Sequence, residues 1–291
     1  MGFRISLALL AVLAVACSDS DPDKDTGPNP PDAQQQDARQ DAQTPDAAPD
    51  AAPDAPANPA CKSSGKQVVT FTTEDSVKLE ADLYLGGKSG GAAVVLLHMV
   101  PPANDRTNYP AAFIDALVAK GLTVLNVDRR GAGNSEGVAT EAYTGPKGKL
   151  DAKAAYEHLA AHACPIDTKR IGFVGASNGT ATALDFTVHA GSEAALDVPA
   201  ALVFLTGGPY TEAQNTLAAS LTLLEKIPIL FVYSDAESSW SAGFKSGNVA
   251  LWQFLEYTGV SAGEGHGTAI FTAKPESIDA VVTFLQQTLA P

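Results

Sequence analysis

Basic residues are scarce in this chain of 291: 19 Lys and Arg stand against 33 Asp and Glu, a formal charge of −14. A nucleic-acid partner needs a cationic face to neutralise phosphates, so this balance argues against one. Long apolar runs are also missing. The longest, Ile5 to Ala16, stops short of the ~20 residues a membrane-spanning helix requires. Cysteine occurs at three positions, Cys17, Cys61 and Cys164, with no paired C-x-x-C, and no H-E-x-x-H run is present. Neither a zinc ribbon nor a zincin helix is therefore written into the chain.

The charge is concentrated at one end. Met1 to Pro59 carries three basic residues (Arg4, Lys24, Arg39) and ten aspartates, so half of the net charge sits in the first fifth of the chain. Residues 1–16 read as a secretory signal, with Arg4 as a short positive start and Ile5 to Ala16 as its apolar body. Ala14-Val15-Ala16-Cys17, followed at once by Ser18-Asp19-Ser20, resembles a bacterial lipoprotein signal. That resemblance implies cleavage before Cys17 and lipid on its sulfur. Residues 17–60 then form a linker of Asp, Ala, Pro and Gln, with Pro-Asp-Ala-Ala repeated at 45–48 and 49–52 and no aromatic residue from Asp19 to Pro59. Such a segment buries too little apolar surface to offset ordering entropy and is expected to be disordered. Its root-mean-square reach would be roughly 35–40 Å. The expected location is an exported domain, lipid-anchored on the periplasmic side or the cell surface. Cys61 and Cys164 both lie in that domain, where oxidation is permitted, and are expected to pair.

From Lys66 the pattern changes. Gln67 to Thr73 and Val77 to Leu85 alternate apolar and polar residues, as half-exposed antiparallel strands do, with Glu74-Asp75 at a hairpin turn. Ala92 to His98, Leu122 to Val127, Arg170 to Gly175, Pro199 to Leu205 and Ile227 to Tyr233 are apolar runs of the length of buried strands. Helices are predicted over Pro110 to Lys120, Lys149 to Ala163 (burying Leu150, Ala154 and Leu159), Asn178 to Ala190 and Ile278 to Leu289. Val249 to Tyr257 fits strand and helix equally. Two alternating strands followed by strand–helix repeats predict an α/β domain over 61–291, its sheet mostly parallel with an antiparallel start.

G-x-S-x-G occurs four times, around Ser89, Ser135, Ser177 and Ser261. A nucleophile elbow needs a buried strand before the serine and a helix after it. Only Ser177, in Phe173-Val-Gly-Ala-Ser-Asn-Gly-Thr-Ala, has both. A serine hydroxyl also needs a base. Of five histidines, His158 and His162 share a helix face that reads as solvated. His189 ends a helix, and His98 ends a buried strand where it shapes a loop. His266, in Gly263-Glu-Gly-His-Gly-Thr, remains as the base. The strand ending in Ser234-Asp235-Ala236-Glu237 offers the carboxylate to orient it, with Glu237 favoured and Asp235 the alternative.

Four signatures in order resemble the α/β-hydrolase superfamily, and more closely its dienelactone-hydrolase-like and acyl-CoA-thioester-hydrolase-like esterase branch. They are Leu96-Leu-His-Met with Asn104-Asp-Arg and Tyr109, Asp128-Arg-Arg-Gly-Ala-Gly-Asn-Ser, Gly175-Ala-Ser-Asn-Gly, and Gly265-His-Gly-Thr. The resemblance implies an α/β-hydrolase fold with helices on both faces of the sheet. It implies an oxyanion hole from the backbone N–H groups of Met99 and Asn178, and structural roles for Asp128 and Arg130. The expected activity is serine ester hydrolysis by two-step acyl transfer, on a small ester or acyl substrate and without metal or organic cofactor. A serine peptidase, a thioesterase and a catalytically silent binding lipoprotein are the alternatives on this fold. Gly207 to Lys226 leaves room for a loop and one helix, hence an open cleft without a large lid. Tyr210, Trp240 and Phe244 are candidate cleft walls or simply packing residues.

Overall fold

The computed structural model describes residues 58–62, 65–211 and 216–291. The signal-like run, Cys17 and the linker up to residue 57 lie outside the described residues. The domain opens with the antiparallel pair β1 (Lys66–Thr72) and β2 (Lys78–Tyr84), then β3 (Gly91–Leu97), α1 (Ala111–Ala119), β4 (Thr123–Val127), α2 (Gly148–Ala160), β5 (Ile166–Ala176) and α3 (Asn178–Ala190). After β6 (Ala201–Leu205) come two single-turn helices, α4 (Thr216–Ala219) and α5 (Leu221–Leu224), then β7 (Ile229–Ser234), α6 (Ser239–Gly243), β8 (Trp252–Tyr257), α7 (Ala262–Gly265), α8 (Ile270–Ala273) and α9 (Glu276–Thr288).

One eight-stranded sheet has the order β1-β2-β4-β3-β5-β6-β7-β8, antiparallel as far as the β2–β4 pair and parallel from there to β8. The continuous apolar runs follow from this placement. Along β3, Ala93, Val95 and Leu97 enter one core with Ala155, Leu159 and Leu184 of α2 and α3. Ala92, Val94 and Leu96 enter the other with Phe113 of α1 and Val281 and Leu285 of α9. A strand covered on both faces has no polar side to show. Cys61 and Cys164 form a disulfide that joins the start of the domain to the entry of β5.

Three local expectations are corrected, and one stretch left open between strand and helix is resolved. Strand β5 begins at Ile166 rather than Arg170, because its polar first half pairs only at Gly91↔Ile166, across an irregularity. The stretch that fitted strand and helix equally is the edge strand β8, paired to β7 alone and half-exposed, which is why its pattern is mixed. In α2, Leu150 is half-buried and Asp151 is fully buried. The inward position is taken by a carboxylate because Arg130 meets it, Nε to Oδ1 at 2.8 Å. His158 is not solvated: its ring stacks on Phe71 of β1 at 4.9 Å, and burial pushes its pKa down.

Candidate active site

The elbow at Ser177 is built by close backbone contact. Ser177 lies between β5 and α3 at φ 49° and ψ −120°, a conformation a side chain adopts only where its surroundings enforce it. The Ser177 N–H is held by Leu205 O at 2.8 Å. A Cβ at Gly175 would sit 2.5 Å from Gly179 O, and one at Gly179 would sit 2.2 Å from Leu97 O. Both glycines of the motif are therefore required by contact rather than by flexibility alone. The other three copies of the motif lack this arrangement. Ser135 donates to Asp128 O at 2.6 Å and accepts from the Glu80 N–H, Ser261 donates to Glu264, and Ser89 is an exposed turn residue.

His266 follows α7 and reaches Ser177 across the end of the sheet. Its Nε2 is 2.7 Å from Ser177 Oγ, and its Nδ1 is 2.8 Å from Glu237 Oε1. With Nδ1 donating to the carboxylate, Nε2 is left to accept the serine proton. Asp235 instead accepts the N–H groups of Ala236 and Gly259. Glu237 sits on the first turn after β7 and enters the cluster half-buried, its Oε2 buried without a hydrogen-bond partner among the described residues. Tyr210 lies beside the pair: its ring meets the His266 ring edge-on at 6.1 Å, and its hydroxyl donates to Thr206 O at 3.0 Å. Burial raises the Tyr210 pKa, so the hydroxyl keeps its proton next to Ser177. Trp240 and Phe244 pack on Phe231 and Phe204 under the sheet and act as core cover.

Met99 follows β3, and Asn178 is the first residue of α3. Among the described residues neither backbone N–H donates to a protein acceptor. His98 is fully buried behind them. Its Nε2 accepts the Arg129 backbone N–H at 2.9 Å, so its Nδ1 carries the proton and donates to Met99 O at 2.7 Å. Burial, reinforced by the Arg129 charge, pushes its pKa down to about 3 and keeps it neutral. Asp128 and Arg130 tie the neighbouring loop: Asp128 pairs with Arg106, and Arg130 with Asp151 and Asp75.

Two residues escaped the sequence reading. Thr206 directly follows β6 at φ 51°, donates through Oγ1 to Gly265 O at 3.1 Å and accepts the Gly267 N–H at 3.0 Å, clamping both sides of His266. Nothing in the sequence around Thr206 announces that contact. Arg129 is wholly buried among neutral acceptors, and between Asp128 and Arg130 nothing in the sequence set it apart. Among the described residues no cluster of His, Cys, Asp and Glu could hold a metal, and no helix is long and apolar enough to cross a membrane. Gly207 to Lys226 carries the two single-turn helices α4 and α5 rather than one helix.

A family model for X-Pro dipeptidyl-peptidase (S15 family) matches residues 75–212, just under half of the chain. No curated protein matches. Among solved structures, a Pyrococcus furiosus esterase is 22% identical with a TM-score of 0.56, covering 77% of this chain and 92% of its own. A dienelactone hydrolase from Anabaena variabilis is 17% identical with a TM-score of 0.54, covering 77% and 95%. A Rhodococcus esterase is 18% identical with a TM-score of 0.53, covering 75% and 98%. The sheet order, the helices on both faces and these likenesses together show that the chain has the α/β-hydrolase fold.

Proposed function

We propose that this domain is a serine hydrolase that cleaves carboxylic esters. The observation that carries the reading is the continuous chain Glu237–His266–Ser177, with both hydrogen bonds under 3 Å, ending on a strained serine at the start of a 13-residue helix. Ser177 Oγ attacks the acyl carbon while its proton passes to His266 Nε2, and Glu237 stabilises the imidazolium. The carbonyl oxygen, now an oxyanion, takes the free N–H groups of Met99 and Asn178, each worth about 2.7–4 kcal/mol in the transition state. The positive end of α3 adds to them. His266 returns its proton to the leaving oxygen, the alcohol departs, and water repeats the sequence on the acyl-enzyme. No step needs a metal or an organic cofactor, and the substrate is a small ester or acyl compound.

The S15 match favours a second reading, amide hydrolysis after proline. A panel of p-nitrophenyl esters, acyl thioesters and X-Pro p-nitroanilides separates the possibilities. Ester kcat/KM is expected to exceed that for thioester and anilide. Faster turnover of the anilide would replace the ester reading with the peptidase one, and an inert wild type would leave a binding lipoprotein. We also propose that the domain is exported and held at a membrane by lipid on Cys17. Labelling by a clickable fatty acid should be lost in Cys17→Ser, and persistence of the label would sink that part.

A further inference from the structure

Arg129 is a fully buried cation with no carboxylate at ion-pair distance among the described residues. Its partners are neutral. Nη1 donates to His98 O at 3.1 Å and Met99 O at 3.3 Å, and Nη2 donates to Asn178 Oδ1 at 2.7 Å, Thr182 Oγ1 at 2.8 Å and Ala142 O at 2.9 Å. A buried charge without a counter-charge is costly, so its retention calls for an explanation. Burial lowers its pKa only to about 10, so it stays protonated at neutral pH.

The position of its two nitrogens supplies that explanation. The C=O of His98 and the N–H of Met99 belong to one planar trans peptide and point in opposite directions. Holding His98 O on the guanidinium therefore turns the Met99 N–H away from Arg129, and a cation on the carbonyl end polarises the N–H end. The other nitrogen pins Asn178, whose N–H is the second donor. The geometry points to Arg129 as the positioning residue of the oxyanion hole: one guanidinium ties the Met99 peptide to Asn178 and places a positive charge that has no direct ion-pair partner, only the longer-range attraction of Asp151, behind the oxygen that becomes negative. The charge lacks a direct partner in the resting protein and gains a negative neighbour in the transition state, the direction in which an interaction accelerates a reaction.

This rests on the serine-hydrolase reading above, and the test separates the two. Wild type, Arg129→Met and Arg129→Lys are compared for kcat and KM on a p-nitrophenyl ester, for inhibition by a trifluoromethyl ketone, and for thermal melting. Methionine is expected to lower kcat about 100-fold, the loss typical of one oxyanion donor, with KM within about threefold. The ketone, which mimics the oxyanion, should weaken in proportion to kcat/KM, and lysine, which keeps charge but not the two-sided fork, should fall between. Unchanged kcat, or a loss that follows the folded fraction while ketone affinity per folded molecule is unchanged, overturns the assignment. If Arg129→Met does not fold, Arg129→Lys decides by the same criteria. A wild type inert to both the ester and a fluorophosphonate overturns the hydrolase reading itself. An active wild type with fully active variants overturns only the role of Arg129.

Discussion

Gly179→Ala puts a single methyl group where the elbow and the oxyanion loop touch. The new Cβ would lie 2.2 Å from Leu97 O and 2.7 Å from His98 O, against an ordinary contact of at least 3.4 Å. Both neighbours are backbone atoms, so no side chain can swing aside. The end of β3 and the start of α3 must separate by about 1 Å, and a displacement of that size at reacting groups costs about 100-fold in rate. Stability responds less. Overpacking costs about 1–3 kcal/mol, while Gly→Ala in a helix returns up to about 1 kcal/mol. The net loss of at most ~3 kcal/mol corresponds to a Tm drop of no more than about 12 °C in a domain of this size. The assay pairs kcat/KM on a chromogenic ester with a thermal melt, and uses Gly145→Ala, where the Cβ meets nothing within 4 Å, as control. A folded Gly179→Ala that keeps kcat/KM within about threefold of wild type would refute this close-contact requirement.

Glu237→Gln should lower kcat by about 1,000-fold with little change in KM, while Asp235→Asn stays near wild type; kinetics with the opposite ranking would transfer the acid to Asp235. His98 takes up a proton near 6.5 in the unfolded chain and only near 3 in the native one. The unfolded state thus binds more protons between those values, and stability falls as pH drops through that window, by up to about 1.4 kcal/mol per unit. Urea melts at several pH values should show a shallower slope for His98→Gln, and an identical slope would contradict the burial argument. Cys61–Cys164 closes a sequence separation of 103 residues, for which chain entropy allows about 4–5 kcal/mol. Mild reduction, or the double serine variant, is expected to lower Tm by about 10 °C, and a shift below about 3 °C would show that the bridge contributes little.

The readable parts of the fold were those that burial writes as long patterns. β3, β4, β6 and β7 are covered on both faces, so their apolar runs announce them, and Ser177 stood out because its strand and its helix flank it on either side. What stayed illegible depends on partners distant in sequence. Asp151 lies inward only because Arg130 waits there, and His158 lies under Phe71, which no spacing within α2 reveals. Between Glu237 and Asp235 the sequence supplied a preference; the difference is a matter of which carboxylate turns to His266 and which to the Gly259 N–H. Arg129 was hidden by its neighbour Arg130, which occupies the arginine of the D-x-R-G-x-G-x-S pattern, although it is Arg129 that bonds Asn178.

The central claim is that the Ser177 hydroxyl is a nucleophile made reactive by His266. Treating the whole chain with a fluorophosphonate, then digesting and mapping the adduct by mass spectrometry, tests it most directly. The phosphonyl group should appear on Ser177 alone, vanish in Ser177→Ala, and form at least about 100-fold more slowly in His266→Ala. Modification of a different serine, or equal labelling rates with and without the imidazole, would contradict the account.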